Sequence, residues 1–479
     1  MDATILTQSD FAAQSEASWR LLAAKALKGG NVDSALTSYT DDGLKIAPIM
    51  PRNVDARAVF QRAGRWAICQ RVDDVDVQRA ASQAREDVAG GATGLSLVFA
   101  GAANAFGYGL PASRGAIATV LDPLPLDNLI LRIDPHPASR ATADWLVEYL
   151  RSRGETMSGL RLSLGIDPAS SFAHSGYKNM SIEALEASLP QSLAGLFAAG
   201  VPGVLLEADG RAYHNAGASE AQELGAILSV AAAHLRMFVE ARQPLSYAAA
   251  HVGFAVCVDQ DQFVSTAKLR ALRLLWSRVL ELCGVMQAAP VAIHAETSRR
   301  MMTRLDVETN ILRSTIAAFS AVVGGADSLS VLPYTFSHGL PDAFARRVAR
   351  NTQLILRDEA HVGLVSDTSS GSGSVDELTS EICAAAWGEF QTIEGEGGML
   401  RSLLGGHYQK RVARTAAARA AAYASGDRAI IGTTTHRLED ERPVVVLDAA
   451  SVAHSHSGMI SCVAMPSIRV AAALEGATS

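Results

Sequence analysis

Three polar side chains have the chemistry of a catalytic or anion-binding site: the neighbours Gln70 and Arg71, and His214. A guanidinium binds an anion through two parallel hydrogen bonds, and a histidine can act as a general acid. His214 lies in residues 210–217, directly after a predicted strand, and barrel enzymes build their sites where strands end. A loop histidine with no visible partner is nevertheless more often a structural hydrogen-bonding residue, so the pattern alone favours a structural role for His214.

The cysteines and the remaining histidines do not indicate a metal site. His454 and His456 lie in a polar segment near the end of the chain, where two such histidines are usually exposed to solvent. An odd number of scattered cysteines is typical of a reducing compartment and argues against a zinc cluster or a disulfide framework. We therefore expect no bound metal. The five cysteines are Cys69, Cys257, Cys283, Cys383 and Cys462.

Short apolar runs alternate with longer amphipathic segments from about residue 75 onward. Runs that are apolar on successive residues are typical of strands buried on both faces. Eight strand–helix repeats predict an α/β fold, a (β/α)8 TIM barrel, and a doubly wound open sheet is the alternative because periodicity alone cannot close a barrel. The predicted strands are residues 94–99, 128–133, 160–165, 203–207, 251–256, 291–295, 328–332 and 362–366.

The helical segments divide the chain into three predicted regions. Residues 1–75 form an extended N-terminal arm, residues 76–400 form the barrel, and residues 401–479 form a C-terminal helix and tail. One segment, residues 262–276, carries Lys268 and Arg273 and is predicted as an amphipathic surface helix with a basic stripe. The predicted helices are residues 75–89, 142–153, 182–199, 218–241, 262–283, 310–323, 342–357 and 376–394.

The composition is that of a folded protein rather than a disordered one. The chain has 479 residues, is 48% hydrophobic and 19% charged, and has a net charge of −7 with no basic block, so we expect no nucleic-acid partner. No run of 18 apolar residues is present, and we expect no membrane span. The first basic residue, Arg20, follows several acidic ones, unlike a targeting peptide, so the expected location is the cytoplasm.

Taken together, these segments resemble the methylmalonyl-CoA mutase family. The resemblance runs from Ser18 to about Met399 and is weaker after that residue. Each motif alone is weak evidence, and the specificity comes from the order in which all of them occur. Small-subunit character shows in residues 332–334, 365–367 and 385–387. The pieces of the series are Thr40-Asp41-Asp42-Gly43, Trp66-Ala67-Ile68, Gly94-Leu95-Ser96, Tyr213-His214 with Ala216-Gly217-Ala218, Lys268-Leu269-Arg270-Ala271, His294 with Thr297-Ser298, Asn310-Ile311-Leu312-Arg313 and Arg350-Asn351-Thr352-Gln353.

The resemblance implies a radical isomerase that interconverts (R)-methylmalonyl-CoA and succinyl-CoA. In this family a coenzyme A thioester threads along the barrel axis. A separate flavodoxin-like domain holds adenosylcobalamin through an Asp-x-His-x-x-Gly loop, and the cofactor supplies the radical while the protein holds and shields it.

The chain departs from the family at the positions that would carry this chemistry. No Asp-x-His-x-x-Gly motif occurs, because the one similar segment, Asp134-Pro135-His136, is not followed by the glycine. We therefore expect no flavodoxin-like cobalamin domain and no cofactor bound by this chain. The family's Arg-Gln-Tyr is here Cys69-Gln70-Arg71, and a thiol cannot make an arginine's forked contact with an anion. The segment around His214 is two residues shorter. We expect no catalytic residue, with His214, Gln70 and Arg71 as remnants.

These losses resemble those of the small subunit of two-chain mutases. The resemblance implies a non-catalytic barrel that pairs with a large catalytic subunit, which would hold adenosylcobalamin and the acyl-CoA substrate. One alternative is a catalytic acyl-CoA mutase chain that borrows a separate cobalamin-binding subunit, with Arg71 replacing the lost anion-binding arginine. A second alternative is a scaffold or chaperone protein that binds the mutase transiently.

Overall fold

Eight parallel strands close into a barrel at the centre of the computed structural model, which describes residues 15–60, 65–286, 290–452 and 458–476. Around the barrel the strand order is β10-β11-β3-β4-β5-β6-β8-β9, so the last strand, β11, pairs with the first, β3. The barrel strands are β3 (Ala67–Val72), β4 (Gly94–Leu97), β5 (Ile130–Ile133), β6 (Arg161–Ile166), β8 (Val204–Asp209), β9 (Val252–Val258), β10 (Ala292–Thr297) and β11 (Ser328–Ser330).

Helices connect successive strands and cover the barrel, as parallel strands require. One long helix, α14, lies outside this layer and packs on α9 and α11. The helices are α1 (Glu16–Ala26), α2 (Val32–Leu36), α3 (Val77–Ala89), α4 (Arg114–Leu121), α5 (Ser139–Ser152), α6 (Pro168–Ser175), α7 (Ile182–Ala198), α8 (Arg211–Asn215), α9 (Glu220–Glu240), α10 (Leu245–Ala248), α11 (Gln262–Leu282), α12 (Thr309–Gly324), α13 (Ala343–Leu354), α14 (Gly373–Gly395), α15 (Met399–Leu404), α16 (His407–Ser425) and α17 (Ala472–Glu475).

The closed barrel confirms the predicted fold class, but one predicted strand is wrong. Residues 362–366 form turns instead of a strand, with Gly363 at a positive φ of 88° and Leu364 and Val365 exposed. The eighth strand is β3, which the sequence analysis placed in the arm. The barrel therefore begins before the predicted boundary at residue 76, and residues 15–60 hold the described part of the arm.

The arm and the tail add three short antiparallel pairs to the barrel. In the arm, β1 (Ser38–Tyr39) pairs with β2 (Lys45–Ile46). In the tail, β13 (Val446–Leu447) pairs with β12 (Leu340–Pro341), and β14 (Ile460–Ser461) pairs with β7 (Tyr177–Lys178). The described residues contain no second parallel sheet of the flavodoxin type. His454 and His456 lie outside the described residues.

None of the described helices is long and apolar enough to cross a membrane.

A bulge in β6 depends on glycine. The register between β6 and β8 shifts between Ser163 and Ile166, and Gly165 lies there at a φ of 58°. A Cβ at this position would lie 1.9 Å from the main-chain oxygen of Ile133 on the neighbouring strand. Only a residue without a side chain allows the two strands to approach so closely.

Replacing Gly165 with alanine is therefore expected to lower the free energy of unfolding by about 2 kcal/mol or more. The measurement is urea unfolding followed by circular dichroism. Gly195→Ala is the matched control, because Gly195 lies in helix α7 and a Cβ there meets nothing within 4 Å. That control should gain stability by up to about 1 kcal/mol. Equal stability of the two variants would contradict the role given to Gly165.

Candidate functional site

The interior of the barrel contains ion pairs between side chains of strands that are separated by one intervening strand. Arg132 of β5 makes a two-point contact with Glu207 of β8, at 2.7 and 2.9 Å. Ser163 donates a further hydrogen bond of 3.0 Å to Glu207, and Arg132 Nε donates one of 3.3 Å to Ser96. Arg132 and Glu207 are 3% and 1% exposed. A coenzyme A thioester on the barrel axis would have to occupy the space that these side chains fill.

A second group of ion pairs lies next to the first and contains Arg71. The Arg71 guanidinium contacts Asp73 and Glu296 at 2.9 Å each and donates to the main-chain oxygen of Asn104 at 2.6 Å. Burial opposes the charge of Arg71, but Glu296 and Asp73 outweigh it and raise its pKa. Each of the three guanidinium nitrogens of Arg71 already donates one hydrogen bond, and two of these go to buried carboxylates. The carboxylate of a substrate would therefore have to compete with Asp73 and Glu296 for this cation.

Arg211 joins the two groups. Its guanidinium contacts Asp209 at 2.8 Å, Asp134 at 3.0 Å and Glu296 at 3.3 Å. Asp134 also lies 3.6 Å from Arg132. Burial works against ionisation of Asp134, yet the arginines, Arg211 first, lower its pKa. The result is one continuous buried network, called here the lumen network, made of Arg71, Arg132, Arg211, Asp73, Asp134, Glu207, Asp209 and Glu296.

Aromatic rings close the space beside Arg71. Phe106 and Phe336 flank the guanidinium, with ring centres 5.6 and 5.3 Å from its carbon. The cavity next to Gln70 and Arg71 measures about 10 Å³, the room of a single water molecule. This cavity is therefore too small to hold a substrate beside the two remnants on β3.

Gln70 does not face the lumen. Its amide nitrogen donates to Asp87 of α3 at 3.1 Å and to the main-chain oxygen of Arg346 in α13 at 3.4 Å. Successive side chains of a strand point to opposite faces, so Gln70 faces the helices and Arg71 faces the interior. The structure therefore separates two residues that the sequence analysis grouped together.

His214 lies in a hydrogen-bonded chain with the composition of a catalytic triad. Its Nε2 is 2.9 Å from Ser298 Oγ and its Nδ1 is 3.2 Å from Glu223. His214 and Ser298 are fully buried. Burial first, and then Arg300 and Lys268, hold the pKa of His214 well below its usual value. A nucleophile needs access to its substrate, and this chain of hydrogen bonds has none, so it supports the packing of α8 on α9 and β10.

Lys268 belongs to the same cluster, and its burial shows that the prediction of an exposed basic stripe on this helix was wrong. Its ammonium lies 2.8 Å from Glu223 and 3.9 Å from Glu220, and Lys268 is 1% exposed. Helix α11 therefore buries its lysine between the barrel and the helix layer. Burial raises the pKa of Glu223 to about 7, and Lys268 opposes that rise.

Two observations on the described residues concern metal binding, one on clusters of possible ligands and one on His136 as a possible ligand of cobalt. No group of three His, Cys, Asp or Glu side chains among them is arranged to hold a metal ion. His136, in the segment closest to the family's cobalamin loop, uses both ring nitrogens. Nε2 lies 2.9 Å from the main-chain oxygen of Ala100, and Nδ1 accepts from the main-chain N–H of Ala138 at 3.0 Å. Neither nitrogen is left for cobalt.

Comparison with known proteins identifies the family. The family model for methylmalonyl-CoA mutase matches residues 47–465. The methylmalonyl-CoA mutase small subunit of Streptomyces virginiae is 36% identical over 436 residues, which cover 88% of this chain and 69% of that subunit. The chain belongs to the methylmalonyl-CoA mutase family. Within it, the chain is similar to the small subunits.

The chain is similar to both kinds of subunit from one organism, and the match to the small subunit covers more of the chain. The small subunit of Propionibacterium freudenreichii subsp. shermanii is 37% identical over 278 residues, covering 56% of this chain and 42% of that subunit. The large subunit from the same organism is 33% identical over 239 residues, covering 49% of this chain and 33% of that subunit. The matched region is therefore less than half the length of either Propionibacterium protein.

Proposed function

We propose that this chain is the non-catalytic small subunit of a heterodimeric, adenosylcobalamin-dependent methylmalonyl-CoA mutase. The observation that carries the proposal is the lumen network, because it occupies the axis along which the family's substrate is expected to lie. In this role the chain stabilises a large catalytic subunit in the cytoplasm. The large subunit binds the acyl-CoA and the cofactor and performs the conversion of (R)-methylmalonyl-CoA to succinyl-CoA.

The contacts of Arg71 argue against the catalytic alternative. A catalytic chain that borrowed cobalamin from a separate subunit would still need its own cation for the substrate. Arg71 is paired with Asp73 and Glu296 and flanked by Phe106 and Phe336. Freeing it would take the nearest cation away from two buried carboxylates and leave each with a more distant arginine, which costs free energy in the barrel interior.

Helix α1 presents exposed apolar side chains that a partner could cover. None of its residues is buried, and Leu21 and Leu22 are 74% and 65% exposed. An isolated helix of 11 residues is marginal in water, so its stability must come from packing. We propose that α1 packs on the large subunit.

Mutase activity of purified chains tests the proposal. The chain alone, given adenosylcobalamin and methylmalonyl-CoA, should show no turnover. A one-to-one complex with a large subunit should be active and should keep its mass on dilution to about 1 μM.

Two outcomes would replace this function with another. Turnover by this chain together with an isolated cobalamin-binding domain would make the chain catalytic. An active large subunit that releases this chain at micromolar concentration would favour the scaffold protein.

A further inference from the structure

We propose that the cavity between α5, α6 and α7 is a binding site for a small organic anion, a carboxylate or phosphate that carries a short apolar chain. The cavity measures about 720 Å³ and lies beyond the carboxyl ends of β5 and β6. Its size falls within the range of small-molecule sites, and this end of a (β/α)8 barrel is where ligands bind. The proposal does not depend on the subunit role proposed above.

The charge of the cavity is one-sided. Two cationic side chains, Lys178 and Arg140, line it, and no carboxylate does. The protein as a whole has a net charge of −7, so a cavity lined by two cations and no carboxylate differs from the average charge of the chain. A pocket that concentrates one sign of charge attracts ligands of the opposite sign.

Lys178 is the central group of this site. Among the described residues, no carboxylate lies within ion-pair distance of its ammonium, and its side chain makes no hydrogen bond to them. Burial lowers the pKa of Lys178 to about 8, and Asp167 opposes this from a greater distance. Asp167 is itself occupied, since it accepts hydrogen bonds from the main-chain N–H groups of Ala169, Ser170 and Asp209.

Lys178 is half-buried, and a partly desolvated ammonium without a carboxylate beside it is less stable than one with an ion-pair partner. An anion in the cavity would supply the missing charge. The strand pair β7–β14 fixes the main chain of Lys178, because Met459 N–H donates to its carbonyl oxygen at 2.8 Å. The ammonium is therefore attached to a held segment rather than to a free loop.

The start of α5 offers further donors to the same ligand. Its N-cap residue is Ala138, which has no side chain to cap the first turn, so the helix leaves main-chain N–H groups open there. Ser139, the first helical residue, is 7% exposed, lines the cavity, and has a hydroxyl without a hydrogen bond to the described residues. Arg140 follows, held by a 2.9 Å bond to Ser188. A helix N-terminus with two cations and a buried hydroxyl is a favourable anion site.

The apolar part of the cavity lining indicates which kind of anion would bind. Ile166, Met180, Leu185 and Leu189 also line the cavity. An inorganic ion would leave this surface unfilled, whereas an anion with a short alkyl or acyl chain would cover it.

Binding of hexanoate and hexyl phosphate to the full chain tests the proposal, by isothermal titration calorimetry. Both probes should bind, and they distinguish a carboxylate from a phosphate ligand by which one binds more tightly. Inorganic phosphate should bind more weakly than hexyl phosphate because it lacks the apolar chain. Hexanol, which has the chain without the charge, should bind at least about tenfold more weakly than hexanoate.

Lys178→Met should weaken hexanoate binding by about tenfold or more, and Lys45→Met, at an exposed lysine in β2 outside the cavity, should leave it unchanged. Lys178→Met is expected to fold, because it removes a half-buried charge that has no ion-pair partner among the described residues, and its urea unfolding midpoint should not fall.

Several results would overturn the site. They are the absence of binding of both anions at about 10 mM, equal binding of hexanoate and hexanol, and equal binding by wild type and Lys178→Met.

Discussion

Replacing Arg132 with methionine will lower the free energy of unfolding by about 3–5 kcal/mol. The reason is the partner left behind. Glu207 is 1% exposed and has Arg132 as its two-point ion-pair partner, so the variant keeps a carboxylate in the barrel interior with only the Ser163 hydroxyl as donor. Urea unfolding, monitored by circular dichroism and tryptophan fluorescence, measures the loss.

Two further variants separate this mechanism from a general effect of losing an arginine. Arg132→Met combined with Glu207→Leu removes both charges and should recover most of the loss, because apolar side chains can replace a buried ion pair without penalty. Arg114→Met breaks an exposed pair with Glu148, whose side chains are 66% and 53% exposed, and should cost less than about 1 kcal/mol. A similar loss in Arg132→Met and Arg114→Met would contradict the lumen network.

Replacing Lys268 with methionine will cost about 3–5 kcal/mol near pH 8.5 and clearly less near pH 5.5. Glu223 lies 2.8 Å from Lys268 and is fully buried, and its pKa is already raised to about 7. Without Lys268 its pKa rises further. A carboxyl whose pKa is higher in the folded than in the unfolded state loses stability as pH rises from the unfolded value through the folded one, so the variant should be weakest at alkaline pH.

The pH dependence has its own control. Lys268→Met combined with Glu223→Gln carries no carboxylate at this position, so its stability difference from wild type should lack the steep alkaline loss of the single variant. Both His214 and Glu220 also face this cluster, and both remain in all variants, which makes the comparison between variants specific to Glu223. A destabilisation of Lys268→Met that is equal at both pH values would contradict the mechanism.

The sequence predicted the barrel well where strands are apolar on successive residues. β9, for example, reads Val-Gly-Phe-Ala-Val-Cys-Val and is buried throughout. β3 was missed because Gln70 and Arg71 interrupt its apolar pattern. The structure shows why they are tolerated: each polar group has a buried partner, Gln70 in the helix layer and Arg71 in the lumen. The run at residues 362–366 was apolar but contained a glycine, and no neighbouring strand lies beside it.

The candidate site was harder to predict than the fold. Arg132 and Glu207 went unnoticed because a single charge inside an apolar run has no sequence signature of its partner, which lies 75 positions away. A useful signal was nevertheless present, since charges recur at inward positions of β3, β5, β8 and β10. Lys268 was misassigned because helical spacing gives the face on which a residue lies and cannot say whether a second layer covers it.

The distribution of the lumen network across the chain has a consequence for folding. Arg71, Arg132 and Asp134 come from the first four barrel strands or the residue after them, whereas Glu207 and Glu296 come from the last four. A half-barrel made of the first four strands would keep the Arg71–Asp73 and Arg132–Asp134 contacts but would lack Glu296 and Glu207, the other partners of these two arginines. We expect the eight strands to assemble cooperatively, with neither half persisting as an independent folding unit.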